Sequence, residues 1–175
     1  MKRVPIGQML VEGGAIDAQQ LRSALDWQRR RGGRLGSALV HLGMMGEMDV
    51  TRALGEQLGL PVIDLAIYSI DPDVLRIVPG RTVEVTRVLP LALLQETRRG
   101  PLVVATAEPQ DVRALDEVAF ASGKQVRPML ATKTQLDVAI AQLLGRGRPE
   151  AVELPPEPLE EMELVRPIRA DRFWN

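Results

Sequence analysis

The chain repeats itself once, and this duplication limits the possible folds more than any other feature. Residues 5–28 read PIGQMLVEGGAIDAQQLRSALDWQ, and residues 34–57 read RLGSALVHLGMMGEMDVTRALGEQ. Aligned without a gap, the copies share Gly7/Gly36, Leu10/Leu39, Val11/Val40, Gly14/Gly43, Ala24/Ala53, Leu25/Leu54 and Gln28/Gln57. Ile6/Leu35, Ile16/Met45 and Leu21/Val50 match in kind. A solenoid needs at least ~3 stacked repeats. A single pair instead implies two equivalent units, which share one helical core or grip a ligand with two equivalent halves.

Each copy predicts two short helices. In the first, Ile6, Met9 and Leu10 fall at helical spacing and Gly13-Gly14 stops the turn. Asp17 then caps a second helix, with Gln20 three residues later completing a capping box. Leu21, Ala24, Leu25 and Gln28 lie on one face of it. The second copy predicts a helix over 35–42, a break at Gly43 and Gly46, and a helix carrying Val50, Ala53, Leu54 and Gln57. Residues 1–60 therefore form a helical tandem-repeat subdomain.

After Gly59-Leu60-Pro61 the pattern changes. Residues 61–65 read as a short strand, and Asp71-Pro72-Asp73 opens a helix that Pro79 and Gly80 interrupt. Residues 88–95 and 102–107 are β-type runs joined by a turn at 97–100, which together predict a hairpin. A helix over 110–122, a strand over 125–130 and a helix from the Thr132/Gln135 capping box through Leu144 complete residues 61–145. The expected fold class is α+β: a bundle of two tandem helix-turn-helix repeats, then a small α/β subdomain with a three- to four-stranded sheet. Residues 146–175 are rich in Pro and Glu without sustained period, the composition of a disordered tail or linker. Its Phe173-Trp174 pair holds two of the five aromatic residues in the chain. The pair reads as a docking peptide, or as a segment that folds back onto its own domain.

Composition removes several functions. The net charge of -1 gives no field to attract DNA or RNA. The absence of Cys excludes disulfides, zinc–thiolate sites and cysteine nucleophiles, and a lone His41 cannot form a histidine metal cluster. The apolar runs are far shorter than the ~18 residues a membrane span needs, and the first residues lack the long apolar stretch of a signal peptide. A cytoplasmic protein without metal or membrane insertion is expected. A P-loop needs G-x-x-x-x-G-K-[ST]. The single Gly-Lys pair, Gly123-Lys124, is followed by Gln125 and has Val118 where the first Gly belongs. The sequence thus has no ATPase motif, and it reads as a non-enzyme.

The spacing R-L-G-x-x-[LVI]-[LVI]-x-x-G, then a Leu pair at i and i+4, then Gln, resembles the signature of the MshEN-type domain. That domain stands at the N-terminus of type II secretion and type IV pilus assembly ATPases. The resemblance covers residues 5–144 and implies a helical subdomain followed by a small α/β subdomain. Some family members bind cyclic di-GMP through two tandem copies of the signature. The resemblance therefore implies a cyclic dinucleotide ligand and a secretion, pilus or other regulatory protein as partner. The start at Met1 favours a free-standing receptor over a fragment of a larger ATPase. The competing expectation is a nucleotide-free docking module that links a secretion or pilus motor to an inner-membrane partner.

The residues support a ligand with two equal halves on their own chemistry. Gly7, Gly36, Gly14 and Gly43 lack side chains and let backbone N–H groups approach phosphate. Leu21 with Leu25, and Val50 with Leu54, offer apolar faces for guanine. Gln28 and Gln57 carry amides that both donate and accept. Arg34 pairs with phosphate or lies flat on a base. Ile6, Leu10, Leu35 and Leu39 complete the candidate set. Taken singly, such Leu, Val and Gly positions more often build a core or end a helix; the coincidence of all of them, twice, raises the ligand reading. The first copy departs from the signature, with Pro5 where the second has Arg34; Lys2 or Arg3 lies just upstream. In the α/β part, Glu108-Pro109-Gln110-Asp111 stands where family members commonly have Asp-Pro-x-Asp. Asp111 is a further candidate for guanine N1–H and N2–H, with helix capping as its alternative role.

Overall fold

The computed structural model describes residues 4–70, 72–94 and 100–145. The expected tail, the Asp71 cap, most of the hairpin turn, and Lys2 and Arg3 lie outside the described residues. The fold is α+β. Helices α1 (Ile6–Glu12), α2 (Ala18–Arg31), α3 (Leu35–His41) and α4 (Glu47–Leu58) come first. The duplication holds to the level of single hydrogen bonds. Gly14 N–H donates to Val11 O and Gly43 N–H to Val40 O, both at 3.0 Å. Ala15 N–H donates to Leu10 O and Met44 N–H to Leu39 O, both at 2.9 Å. Gly14 and Gly43 have φ of 70° and 66°, a left-handed conformation that glycine adopts without strain. Asp17 caps α2 in a complete capping box with Gln20. The equivalent Gly46 caps α4 with no side-chain hydrogen bond. Leu10, Ile16, Ala24, Ala38 and Leu39 form the centre of this helical part.

The second part contains α5 (Pro72–Leu75), α6 (Gly80–Thr86), β1 (Val88–Leu93), β2 (Leu102–Thr106), α7 (Val112–Ser122), β3 (Val126–Leu130) and α8 (Lys133–Leu143). The sheet order is β1-β2-β3. β1 and β2 pair antiparallel as the expected hairpin, with an irregularity between Pro90 and Ala92 where proline cannot donate. β2 and β3 pair parallel, which requires the α7 crossover between them. The strand expected over 61–65 is reduced to one bridge, Val62 to Leu130, on the free side of β3. Thr132 caps α8 by accepting from Gln135 N–H, but the expected box is only half formed. The Gln135 side chain instead reaches Asp64 Oδ1 at 2.6 Å and accepts from Leu65 N–H at 3.2 Å, tying the incoming chain to α8. Val88, Leu89, Leu102, Val104, Val118 and Leu136 are among the buried residues of this second core.

Among the described residues, two side-chain hydrogen bonds join the parts. Arg34 binds Glu108 at 2.9 Å, and Glu47 at the start of α4 accepts from Thr134 N–H in the first turn of α8 at 3.1 Å. At Gly55 a Cβ would lie 2.6 Å from Val62 Cγ2, so the absence of a side chain lets α4 meet the bridge segment closely.

Candidate functional site

The two helix pairs interlock crosswise: α2 packs on α3, and α4 packs on α1. The glutamines that close each copy carry the same exchange. Gln28 Nε2 donates to Gly33 O at 2.8 Å, and Gln57 Nε2 donates to Val4 O at 2.6 Å. Gly33 immediately precedes the second copy and Val4 immediately precedes the first. Each copy therefore holds the entrance of the other, a reciprocal arrangement with pseudo-two-fold symmetry. Neither glutamine Oε1 has a protein donor among the described residues, so both remain acceptors.

Glycines set the spacing inside each copy. A Cβ on Gly7 would lie 2.8 Å from Leu21 Cδ1 and 3.0 Å from Leu35 Cδ2, and one on Gly36 would lie 2.6 Å from Val50 Cγ1. Leu21 and Val50 thus fill the space above the equivalent glycines. Ile6 and Leu35 pack half-buried against the helical core. Leu25, 38% exposed, and half-buried Leu54 remain as the apolar surface of the two second helices.

Five of the candidate residues have structural roles, and for Asp111 it is the capping role expected as its alternative. Leu10 and Leu39, 4% and 0% exposed, are enclosed in the helical core and hold the helices together, with Leu10 also forming part of the wall of a groove between α1 and α4. Gly14 and Gly43 sit at helix C-terminal ends with their N–H groups already bonded, where the helix dipole is negative and disfavours phosphate. Asp111 caps α7, its Oδ1 accepting from Ala114 N–H at 3.2 Å, because the helix start has orphan donors to satisfy. The carboxylate of that loop that meets the repeats is Glu108, through Arg34, with both side chains more than half exposed. Glu108 was overlooked in the sequence although it is the first residue of the same four-residue segment. His41 also has an unforeseen neighbour: its ring lies 5.0 Å from that of Trp27.

Two hollows stand out among the described residues, and neither contains Gln28, Arg34 or Gln57. One, about 460 Å³, lies in the α/β part between Arg87, Thr106, Glu108, Asp111, Lys133 and Asp137. It opens at the C-terminal ends of parallel β2 and β3, the usual binding edge of such sheets. The other, about 380 Å³, is a groove between α1 and α4. No group of His, Asp or Glu side chains suited to a metal ion occurs among the described residues. No helix among them is long and apolar enough to cross a membrane.

Comparison with known proteins gives consistent relatives. The family model of the MshEN domain matches residues 58–150. The type IV pilus assembly ATPase PilB of Myxococcus xanthus is 30% identical over 92% of this chain, which spans 28% of that protein. A solved structure of MshE with cdg (cyclic di-GMP) is 30% identical and superposes with a TM-score of 0.68, covering 81% of this chain and 99% of that one. The N-terminal domain of XpsE shares the fold at 22% identity, with a TM-score of 0.59 over 81% of this chain and 98% of that one. The family match covers mainly the α/β part, whereas the PilB and MshE similarities extend over the repeats as well.

Proposed function

The chain belongs to the MshEN domain family, and on that premise we propose that it is a regulatory module, not an enzyme, that binds cyclic di-GMP. The single observation that carries this reading is the reciprocal glutamine exchange between the copies. Cyclic di-GMP has two guanines, two phosphates and two-fold symmetry, and a pseudo-two-fold receptor presents each half with an equivalent surface. The similarity to MshE, solved with this ligand, supports the same choice.

The residues take distinct parts. Leu25 and Leu54 offer apolar surface to the base faces. The free Oε1 atoms of Gln28 and Gln57 accept from guanine N–H groups. Arg34 supplies donors for guanine O6 and N7 or for a phosphate oxygen, and Glu108 accepts from N1–H and N2–H. Gly7 and Gly36 act indirectly, by letting Leu21, Leu35 and Val50 close the helical unit. Ile6, Leu10 and Leu39 are its supports. The bound state is then passed to a secretion, pilus or other regulatory protein through the Arg34–Glu108 and Glu47–Thr134 contacts. The second reading, a docking module without nucleotide, is favoured by Pro5, which gives the first copy no counterpart to Arg34.

Fluorescence anisotropy with labelled cyclic di-GMP tests the proposal. Wild type is expected to bind, and Arg34→Ala to weaken binding by ~10-fold or more, equivalent to about 1.4 kcal/mol. Absence of binding by wild type at high micromolar concentration would remove the ligand reading and leave the docking one.

A further inference from the structure

The pseudo-symmetry of the helical part is broken at one place. The groove between α1 and α4 is lined by Met9, Gly13, Ala15, Met45, Ala53 and Glu56. In the related half, between α3 and α2, the positions of Gly13, Ala15 and Glu56 are occupied by Leu42, Met44 and Trp27. Trp27 and Met44 pack there against the helical core, and the indole also stacks near His41. The same framework therefore accepts an indole on one side and leaves about 380 Å³ open on the other.

We propose that this groove is a docking site for the Phe173-Trp174 segment of the same chain, with Trp174 taking the place that Trp27 fills in the other half. The chain has two tryptophans, and Trp174 is the second. Aromatic side chains bury ~150–250 Å² each, and two methionines at the groove, Met9 and Met45, adapt readily to such a ring. The rim carries Asp49, Arg52 and Glu56; Arg52 pairs with Asp49 at 3.3 Å, which leaves Glu56, without a partner among the described residues, as the uncompensated charge. Arg172 stands immediately before Phe173, and with Arg169 it outweighs Asp171 and leaves the segment with the complementary positive charge. Distance is no obstacle. Residues 146–173 reach roughly 90 Å when extended, several times the ~15 Å radius of gyration of a domain of this size.

Acrylamide quenching of Trp174 fluorescence in the full chain provides the test. Trp27→Phe leaves Trp174 as the sole tryptophan. Its emission is expected to be blue-shifted and protected, with no dependence on protein concentration. Adding Glu56→Phe, which fills the groove as Trp27 fills its counterpart, is expected to abolish both the shift and the protection. Circular dichroism of both variants checks that the helices remain. Quenching as fast as that of free N-acetyltryptophanamide before Glu56→Phe is added would overturn the proposal. So would protection that survives Glu56→Phe, which places Trp174 elsewhere. Protection that grows with protein concentration would assign the groove to a second copy and equally overturn it.

Discussion

At Gly36 the missing side chain is itself a packing element. A Cβ there would press to 2.6 Å from Val50 Cγ1, and Val50 is fixed within the helical cluster. Gly36→Ala is expected to lower unfolding stability in urea by about 1–3 kcal/mol. Combining it with Val50→Ala should recover part of that loss, because the two positions share one contact; strictly additive losses would contradict the packing account. Tyr68 offers a different single-residue test. It packs against the α/β core, and burial raises its hydroxyl above the ordinary 10.0. The fold favours the neutral phenol, so its contribution is complete below pH 10.0 and fades as pH rises through the raised value. Tyr68→Phe should flatten the alkaline loss of stability relative to wild type, and an unchanged alkaline limb would refute this.

Between elements, the α4-to-α8 contact carries the clearest prediction. Glu47 accepts from Thr134 N–H at the N-terminus of α8, where a carboxylate also meets the positive end of the helix dipole. Glu47→Ala should cost about 1 kcal/mol and speed hydrogen exchange in the first turn of α8, while α2 stays protected; no change in α8 would contradict the contact. Elements of this kind were unevenly legible in the sequence. The helices of the duplication and the Asp17/Gln20 box were readable because capping and apolar spacing are local. The strand expected over 61–65 was not, because β3 ends at Leu130 and α8 begins at Lys133, which leaves residues after Ile63 no parallel strand to pair with beyond the Val62–Leu130 bridge. The Thr132/Gln135 box looked complete, yet Gln135 turns to Asp64, a partner far away in sequence. In the candidate site, repeat spacing singled out Gln28 and Gln57 and the family signature Arg34, but their present partners are long-range or backbone atoms. Spacing also could not separate Leu10 and Leu39, enclosed by the crossed helices, from Leu25 at the surface. The pairing of Arg34 with Glu108 arises only when the α/β part folds back against the second copy.

The described residues form a pseudo-symmetric helical unit joined to a small α/β unit that has no such symmetry. The chain spans 28% of the length of its PilB relative. The asymmetry is also internal: Pro5 stands in the first copy where Arg34 stands in the second, and among the described residues Glu108 pairs with Arg34. A ligand bound across the copies would therefore make equivalent contacts through the glutamines and unequal ones through the guanidinium. Arg34→Lys, which keeps the charge but loses the planar fork, should weaken cyclic di-GMP binding nearly as much as Arg34→Ala if a base edge is read. Retention of wild-type affinity by the lysine variant would assign Arg34 to simple charge attraction.

The most direct measurement is the stoichiometry of cyclic di-GMP binding by titration calorimetry of the wild-type chain. If the two copies form one receptor for a two-fold ligand, the titration saturates at one cyclic di-GMP per chain, and Gln28→Ala and Gln57→Ala each weaken that same single event. Two independent binding events per chain, or no heat at high micromolar ligand, would contradict it.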